Sequence, residues 1–543
     1  MFNNFNAMLQ LIIYFIILTL IFSFTGRLAL RLMQINEPVH PVFKLIVGMF
    51  ITMLLIWLLS FFVGFSMFWQ GGLLLLAIIF LVFNKSCVLA SLFRKFKQWQ
   101  SVYQVFFFFF VMLTLAVSTT LPLIQDNKTY YIQTIKWVNE QGFVPGLMNL
   151  HPFLGQFSGW HILHGLNFGI FNDINAYLTI LVLFFAFDKL NTKMSSMPKT
   201  WLMSLPLLYI FLVPFLNAPS PDLPVILLSL LVFYLFIENY DKPNAGDIKI
   251  MLVLVVFSIM IKLTALPNLL LLFVLLWKYK NVLKNTVKWS ISLLLSAFVL
   301  VIAKNYILTG YVFYPFTFGS HIWQPEWQYP QEMLVYLGEL GRNESFALQA
   351  NAQVFYDFKD WLIQSDLVQS LMNSSFVFLL LVMPLFIKKQ KALQWIYGIG
   401  LIYFISILFY APNFRFFISF YIFFLLIIIE KIIQKWKPAY IIFLITGIVI
   451  TSIMTMNIMR FNLINIAIST PNTRNRIIKD TEGNLEFYYP NNAEYQPFWE
   501  TSDAKLPALQ RNQLNYFKEY FHYIPQLRKT TLKDGFYSKE SKH

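Results

Sequence analysis

Cysteine is almost absent from this chain, with Cys87 the only one in 543 residues. An intrachain disulfide, a CxxC pair and a cysteine-based zinc site are therefore excluded. Charge is scarce as well. Asp, Glu, Lys and Arg make up 12% of the residues, half of what soluble domains carry, while 58% are hydrophobic and 18% aromatic. Such a composition excludes a soluble globular protein. There is no Gly-rich phosphate loop, no dinucleotide fingerprint and no internal repeat, so a soluble nucleotide has no evident site. No Lys or Arg precedes the first apolar run, which therefore reads as an uncleaved span rather than a cleavable signal.

What the chain does have is long apolar runs, near residues 8–25, 45–68, 70–84, 101–121, 174–187, 200–216, 223–237, 249–276, 289–307, 371–387, 393–410, 414–429 and 438–458. They predict an all-α polytopic membrane protein of about 13–14 transmembrane helices. The run at 249–276 is too long for one upright span and is interrupted by Lys262 and Pro267, which predicts a broken helix or a helical hairpin. With 41 basic and 26 acidic side chains the net charge is +15, which in a soluble protein would point to nucleic acid. Here the excess sorts by loop. The connectors near 26–44, 85–98, 188–199, 238–249, 277–288, 388–391 and 430–437 hold 22 basic and 6 acidic residues, against 5 and 11 on the opposite side. This positive-inside bias puts the first set in the cytoplasm and both termini outside, in a cytoplasmic membrane, with no nucleic-acid partner.

Three parts follow: a three-helix extension at 1–98, a transmembrane core at 99–460 and an outer tail at 461–543. The outer loops 122–173 and 308–370 are too long to be plain connectors, and long loops carry function. In the first, Asp126 stands where membrane meets water. Tyr131, Ile135 and Val138 then form one apolar stripe, expected of an interfacial helix from Asn127 to Gln141 that Gly142 ends. A Val144-Pro145-Gly146 turn, Asn149-Leu150-His151, and a second aromatic segment with Trp160, His161 and His164 come next.

A carboxylate just outside an early span, a Tyr-bearing interfacial helix, a Gly and Val-Pro turn and a second interfacial segment together resemble the first outer loop of GT-C superfamily glycosyltransferases. Three further places are similar: the acid-bearing turn Asn217 to Asp222, the Gly310 to Pro315 exit that follows Lys304 and Asn305, and the Ala411 to Phe416 turn with its Arg-aromatic pair. The resemblance covers about residues 100–460 at superfamily level. It implies a GT-C-like core that moves a sugar from a polyprenyl-phosphate donor to a glycan, lipid or protein acceptor, with an acid of the first loop as base. Many members have two near-adjacent acids there, whereas Asp126 is followed by Asn127. A divalent metal is thus not supported by the sequence.

Sugar transfer needs a carboxylate to take the acceptor's proton, and Asp126 is the candidate. The competing reading is a helix N-cap. The leaving polyprenyl phosphate needs fixed cations near the interface, for which Arg415, Lys304 and Lys262 are the candidates. A buried pair between Lys262 and Asp222 would instead be structural. Tyr130, Tyr131, Glu140, His151, Trp160 and Asp222 are candidate acceptor or sugar contacts; for the aromatic ones the simpler role is an interface belt among membrane lipids. Other classes stay open: an O-antigen-type polymerase or ligase, a transporter, or a non-enzymatic assembly protein. Convergence of Asp126, Lys262 and Arg415 on one outer cavity would favour the transferase.

Overall fold

The computed structural model describes residues 2–435, 476–491 and 500–541, apart from 36, 84–87, 121, 123, 169–172, 192–200, 282, 321, 346–357, 364–366 and 410–412. The run expected at 438–458 falls outside the described residues, apart from two isolated positions. The helices are α1 (Phe2–Leu32), α2 (Pro41–Ser60), α3 (Met67–Phe83), α4 (Val88–Lys97), α5 (Ser101–Ser118), α6 (Ile132–Glu140), α7 (Gly159–His164), α8 (Ile174–Asn191) and α9 (Asp222–Asn239). They continue with α10 (Ala245–Ile261), α11 (Pro267–Lys278), α12 (Lys284–Thr309), α13 (Gln331–Ser345), α14 (Phe358–Leu362), α15 (Leu367–Ile387), α16 (Lys391–Leu408) and α17 (Phe414–Lys435).

The chain is a polytopic membrane protein. Among the described residues eight helices are long and apolar enough to cross a membrane, or nine if the bent pair α3 and α4 is one span. That is fewer than the 13–14 expected; the run at 438–458 lies outside the described residues, and two further differences have local causes. Residues Trp201–Phe211 wind as a 3-10 segment that includes Pro206, whose missing N–H cannot continue an α-helix. The 249–276 run divides at Lys262, where the backbone turns extended, and restarts with Pro267 in the first turn of α11. The halves form the expected hairpin: Lys278 Nζ and Tyr279 OH both donate to the Tyr240 carbonyl, near the Asn244 cap of α10.

Small residues set the closest helix crossing. A Cβ on Gly48 of α2 would lie 2.0 Å from the Phe22 carbonyl oxygen of α1, so the two backbones touch only because none is there. Helix α9 is almost wholly enclosed, ringed by α8, α10, α11, α16 and α17.

Side-chain contacts tie the basic loops together at one end. Asp188 accepts from Lys95 Nζ at 2.9 Å and from Trp99 Nε1 at 3.0 Å, and His40 Nε2 lies 3.2 Å away. Asn244 Nδ2 donates to Glu37, and Lys249 Nζ to the Met33 carbonyl at 2.7 Å. The loops predicted to share the cytoplasmic side therefore do meet.

At the other end the tail supplies, among the described residues, the one departure from an all-helical chain. Two antiparallel hairpins, β1 (Arg476–Glu482) with β2 (Leu485–Asn491) and β3 (Tyr523–Leu527) with β4 (Phe536–Glu540), flank α18 (Arg511–Phe521). The tail lies on the loop of residues 122–173. Phe536 N donates to the Pro145 carbonyl at 2.9 Å, and Lys533 Nζ to the Gln141 and Phe143 carbonyls at 2.7 and 3.0 Å.

Candidate functional site

The loop of residues 122–173 begins differently from the expected amphipathic helix. Asn127–Tyr131 is a single wide π-turn that runs directly into α6, and Gly142, at φ +72°, ends the segment as expected. π-Turns widen the helix and often occur at functional sites. Tyr131 and Val138 are buried, but so are Thr129, Gln133 and Trp137, because the tail covers the face that an interfacial helix would leave to water. The carbonyl of Lys128 accepts from Ser502 N at 2.7 Å and Thr501 N at 3.1 Å, and Thr501 Oγ1 donates to the Thr129 carbonyl at 2.7 Å.

Asp126 occupies the N-cap position of this turn without capping it; its side chain accepts no cap hydrogen bond. Its Oδ2 instead accepts from Tyr131 OH at 3.3 Å and faces Arg415 Nη1 at 3.5 Å. Both members of this loose ion pair keep about a third of their side-chain surface open, 33% for Asp126 and 36% for Arg415. Arg415 is set in the first turn of α17, where Asn413 Oδ1 accepts from its backbone N–H at 3.1 Å.

Arg415 is also within electrostatic reach of Asp222, the first residue of α9. Asp222 is buried and ion-paired with Lys262 at the break between α10 and α11, and Lys262 Nζ sits 5.1 Å from the centre of the Phe416 ring. Asp126, Arg415, Asp222 and Lys262 are thus brought together from four segments. Lys262 has its acid at hand, so the pairing with Asp222 weighed from the sequence is what the structure contains.

Tyr130 and Tyr131 complete the wall. Their rings are 4.7 Å apart, and His161 of α7 lies 4.7 Å from Tyr131 and 6.0 Å from Tyr130. Burial, followed for Tyr130 by the Asp126 and Asp222 charges and for Tyr131 by Tyr130 and those same acids, raises both phenols well above their ordinary range. They stay neutral donors. Burial and the neighbouring His164 lower His161 to about 3, an effect that the Pro219 carbonyl partly offsets. Neither ring nitrogen of His161 makes a hydrogen bond of normal geometry.

The other candidates lie elsewhere. Lys304 is buried, donates to the Phe157 carbonyl at 2.8 Å and sits 5.5 Å from the Trp57 ring centre. Its link to the cluster is indirect, through Ser158, whose Oγ donates to the Ile261 carbonyl beside Lys262 at 2.8 Å. Trp160 is fully enclosed and donates through Nε1 to Asn175, so it is no interface-belt residue. His151 Nδ1 caps the following turn by accepting from Phe153 N at 3.3 Å. Glu140 is solvent-exposed at the end of α6. Among the described residues no group of three or more His, Cys, Asp or Glu side chains is arranged to hold a metal ion.

One organiser escaped the sequence. Asn175 Nδ2 donates to the carbonyls of Phe215, Ala218 and Ser220 at 2.8, 2.7 and 3.2 Å, holding the turn whose Ser220 Oγ accepts from Asp222 N at 3.3 Å. The only prior signal was an Asn within an apolar run, where a lone amide demands partners.

Residues 8–422 match the family described as Domain of unknown function (DUF8201). No curated protein and no solved structure matches the chain.

Proposed function

The chain belongs to the DUF8201 family, and we propose that its chemistry is glycosyl transfer, from a polyprenyl-phosphate-linked sugar to an acceptor hydroxyl at the outer face of the cytoplasmic membrane. The observation that carries this reading is the open Asp126–Arg415 pair beside the closed Asp222–Lys262 pair. In the reaction the acceptor oxygen bonds to the anomeric carbon as the bond from that carbon to the phosphate oxygen breaks. The acceptor's proton passes to Asp126, and the electron pair leaves with the polyprenyl phosphate. Tyr131 holds Asp126 Oδ2, leaving the other carboxylate oxygen for the incoming hydroxyl. Arg415 is one-third open and able to turn its planar fork from Asp126 toward the phosphate. Asp222 neutralises Lys262 at the helix break, so that neither charge is buried alone.

The experiment is incubation of membranes with labelled polyprenyl-phosphate sugars. Asp126→Asn keeps the shape and removes the base, and the expected loss is on the order of 100- to 10,000-fold at unchanged membrane abundance. Transfer at the wild-type rate overturns the assignment. A second reading has one feature in its favour: the unwound stretch between α10 and α11 is of the kind that transporters use at midplane sites. A transporter would move the labelled lipid across the membrane and form no new glycoside in this assay.

A further inference from the structure

The other end of the bundle holds a second site. Helix α4 is strongly amphipathic, and it is fastened at the basic end by Lys95 of its last turn and by Trp99 just beyond it, both bound to Asp188 of α8. Its apolar face closes only in part: Phe96 lies 6.0 Å from the Phe107 ring of α5, while Phe93 stays exposed. Between α4, α5 and α8 lies a cleft of about 300 Å³ lined by Leu89, Phe93 and Phe96 on one side and by Phe107, Val111 and Phe184 on the other. The lining is wholly apolar, as suits a hydrocarbon chain and no polar metabolite.

A cation stands at its mouth. Lys97 Nζ lies 4.5 Å from the ring centre of Phe93, whose ring lines the cleft. Lys95 is neutralised by Asp188, but Lys97 has no carboxylate partner among the described residues. An apolar slot with uncompensated positive charge at its rim complements one kind of molecule at this depth: an amphiphile with an anionic head.

We propose that the cleft between α4 and α5 binds an anionic phospholipid, one acyl chain lying against Phe93, Phe107 and Val111 and the phosphate meeting Lys97. The site is independent of the transferase reading. It gives α4 a reason to be both amphipathic and basic, since a helix that merely ended a span would need no apolar cleft.

The test uses the full chain purified in detergent and mixed with equimolar phosphatidylglycerol and phosphatidylcholine of identical acyl chains, with protein-bound lipid read by native mass spectrometry. Phosphatidylglycerol is expected to be retained preferentially, by about fivefold for each basic side chain engaged. Lys97→Gln, on the exposed face, should abolish the preference. Val111→Trp, which fills the cleft, should reduce bound lipid of both kinds. If Val111→Trp does not fold, Val111→Phe serves in its place. Equal retention of the two lipids by the wild type, an unchanged preference in the Lys97→Gln variant, or undiminished bound lipid in the Val111 variant overturns the proposal.

Discussion

His161 is fully buried with the Pro219 carbonyl near it but neither ring nitrogen in a hydrogen bond of normal geometry, and the cost of that arrangement has a pH signature. In the folded chain His161 is lowered to about 3 and His164 to about 4, in each case chiefly by burial. Unfolded, each imidazole takes up its proton near pH 6.5. The stability that neutrality contributes is therefore complete above about 6.5 and is lost as the pH falls toward 4, at up to about 1.4 kcal/mol per pH unit for each ring. Asp173, raised by burial to about 7, acts in the opposite sense. It keeps a proton that the unfolded chain releases near 3.9, so its contribution fades as pH rises through that window. The difference between wild type and His161→Phe cancels Asp173 and isolates one imidazole. The variant is expected to unfold at an equal or higher temperature at pH 7.5, because poorly satisfied buried ring nitrogens are gone, and to lose less stability between pH 6.5 and 4. An unchanged acid slope would mean that His161 is not held neutral in the fold.

At the scale of elements, the π-turn at Asn127–Tyr131 depends on the tail. Thr501 and Ser502 grip the carbonyls of Lys128 and Thr129, Gln133 Nε2 donates to the Ser502 and Ala504 carbonyls at 3.0 Å each, and Lys136 pairs with Asp503 at 2.7 Å. This splint lies beyond the family match, which ends at residue 422, yet it holds the turn that follows Asp126. Thr501→Val removes the hydroxyl that donates to the Thr129 carbonyl. Amide exchange at residues 127–133 is expected to rise on the order of tenfold, the effect of about 1.4 kcal/mol of lost hydrogen bonding. Exchange in α9 should stay as in the wild type. Unchanged exchange at 127–133 would show the turn to be self-supporting.

That dependence also explains what the sequence could and could not reveal. Asp126, Lys262 and Arg415 stand out because a charge beside or within an apolar run is costly and demands a reason. The hairpin at 249–276 was legible for the same cause, from Lys262 and Pro267 inside one run. The grip of Thr501 on Thr129 was not, because it joins backbone to side chain across 372 positions, and backbone acceptors carry no residue identity. Asn175 was invisible likewise, its three acceptors all being carbonyls. The amphipathic pattern of residues 127–141 misled in a specific way: it describes a helix with one wet face, and the tail dries that face.

For the whole molecule, the net charge of +15 becomes a statement about direction. The basic loops gather at the end marked by Asp188, and the site of Asp126 and Arg415 lies at the end covered by the tail. Which end faces outward decides which donor the site can meet, because nucleotide sugars are confined to the cytoplasm and lipid-linked sugars are presented outside. The single cysteine makes the direction measurable. On a Cys87→Ser background, Glu140→Cys is exposed at the tail end and Lys280→Cys at the basic end. In intact cells made permeable only at the outer layer, a membrane-impermeant maleimide is expected to label position 140 at once and position 280 only after the cytoplasmic membrane is opened, as the positive-inside bias requires. The reverse pattern would place Asp126 in the cytoplasm, where a lipid-linked donor is no longer required and the outer-face transferase fails with its topology.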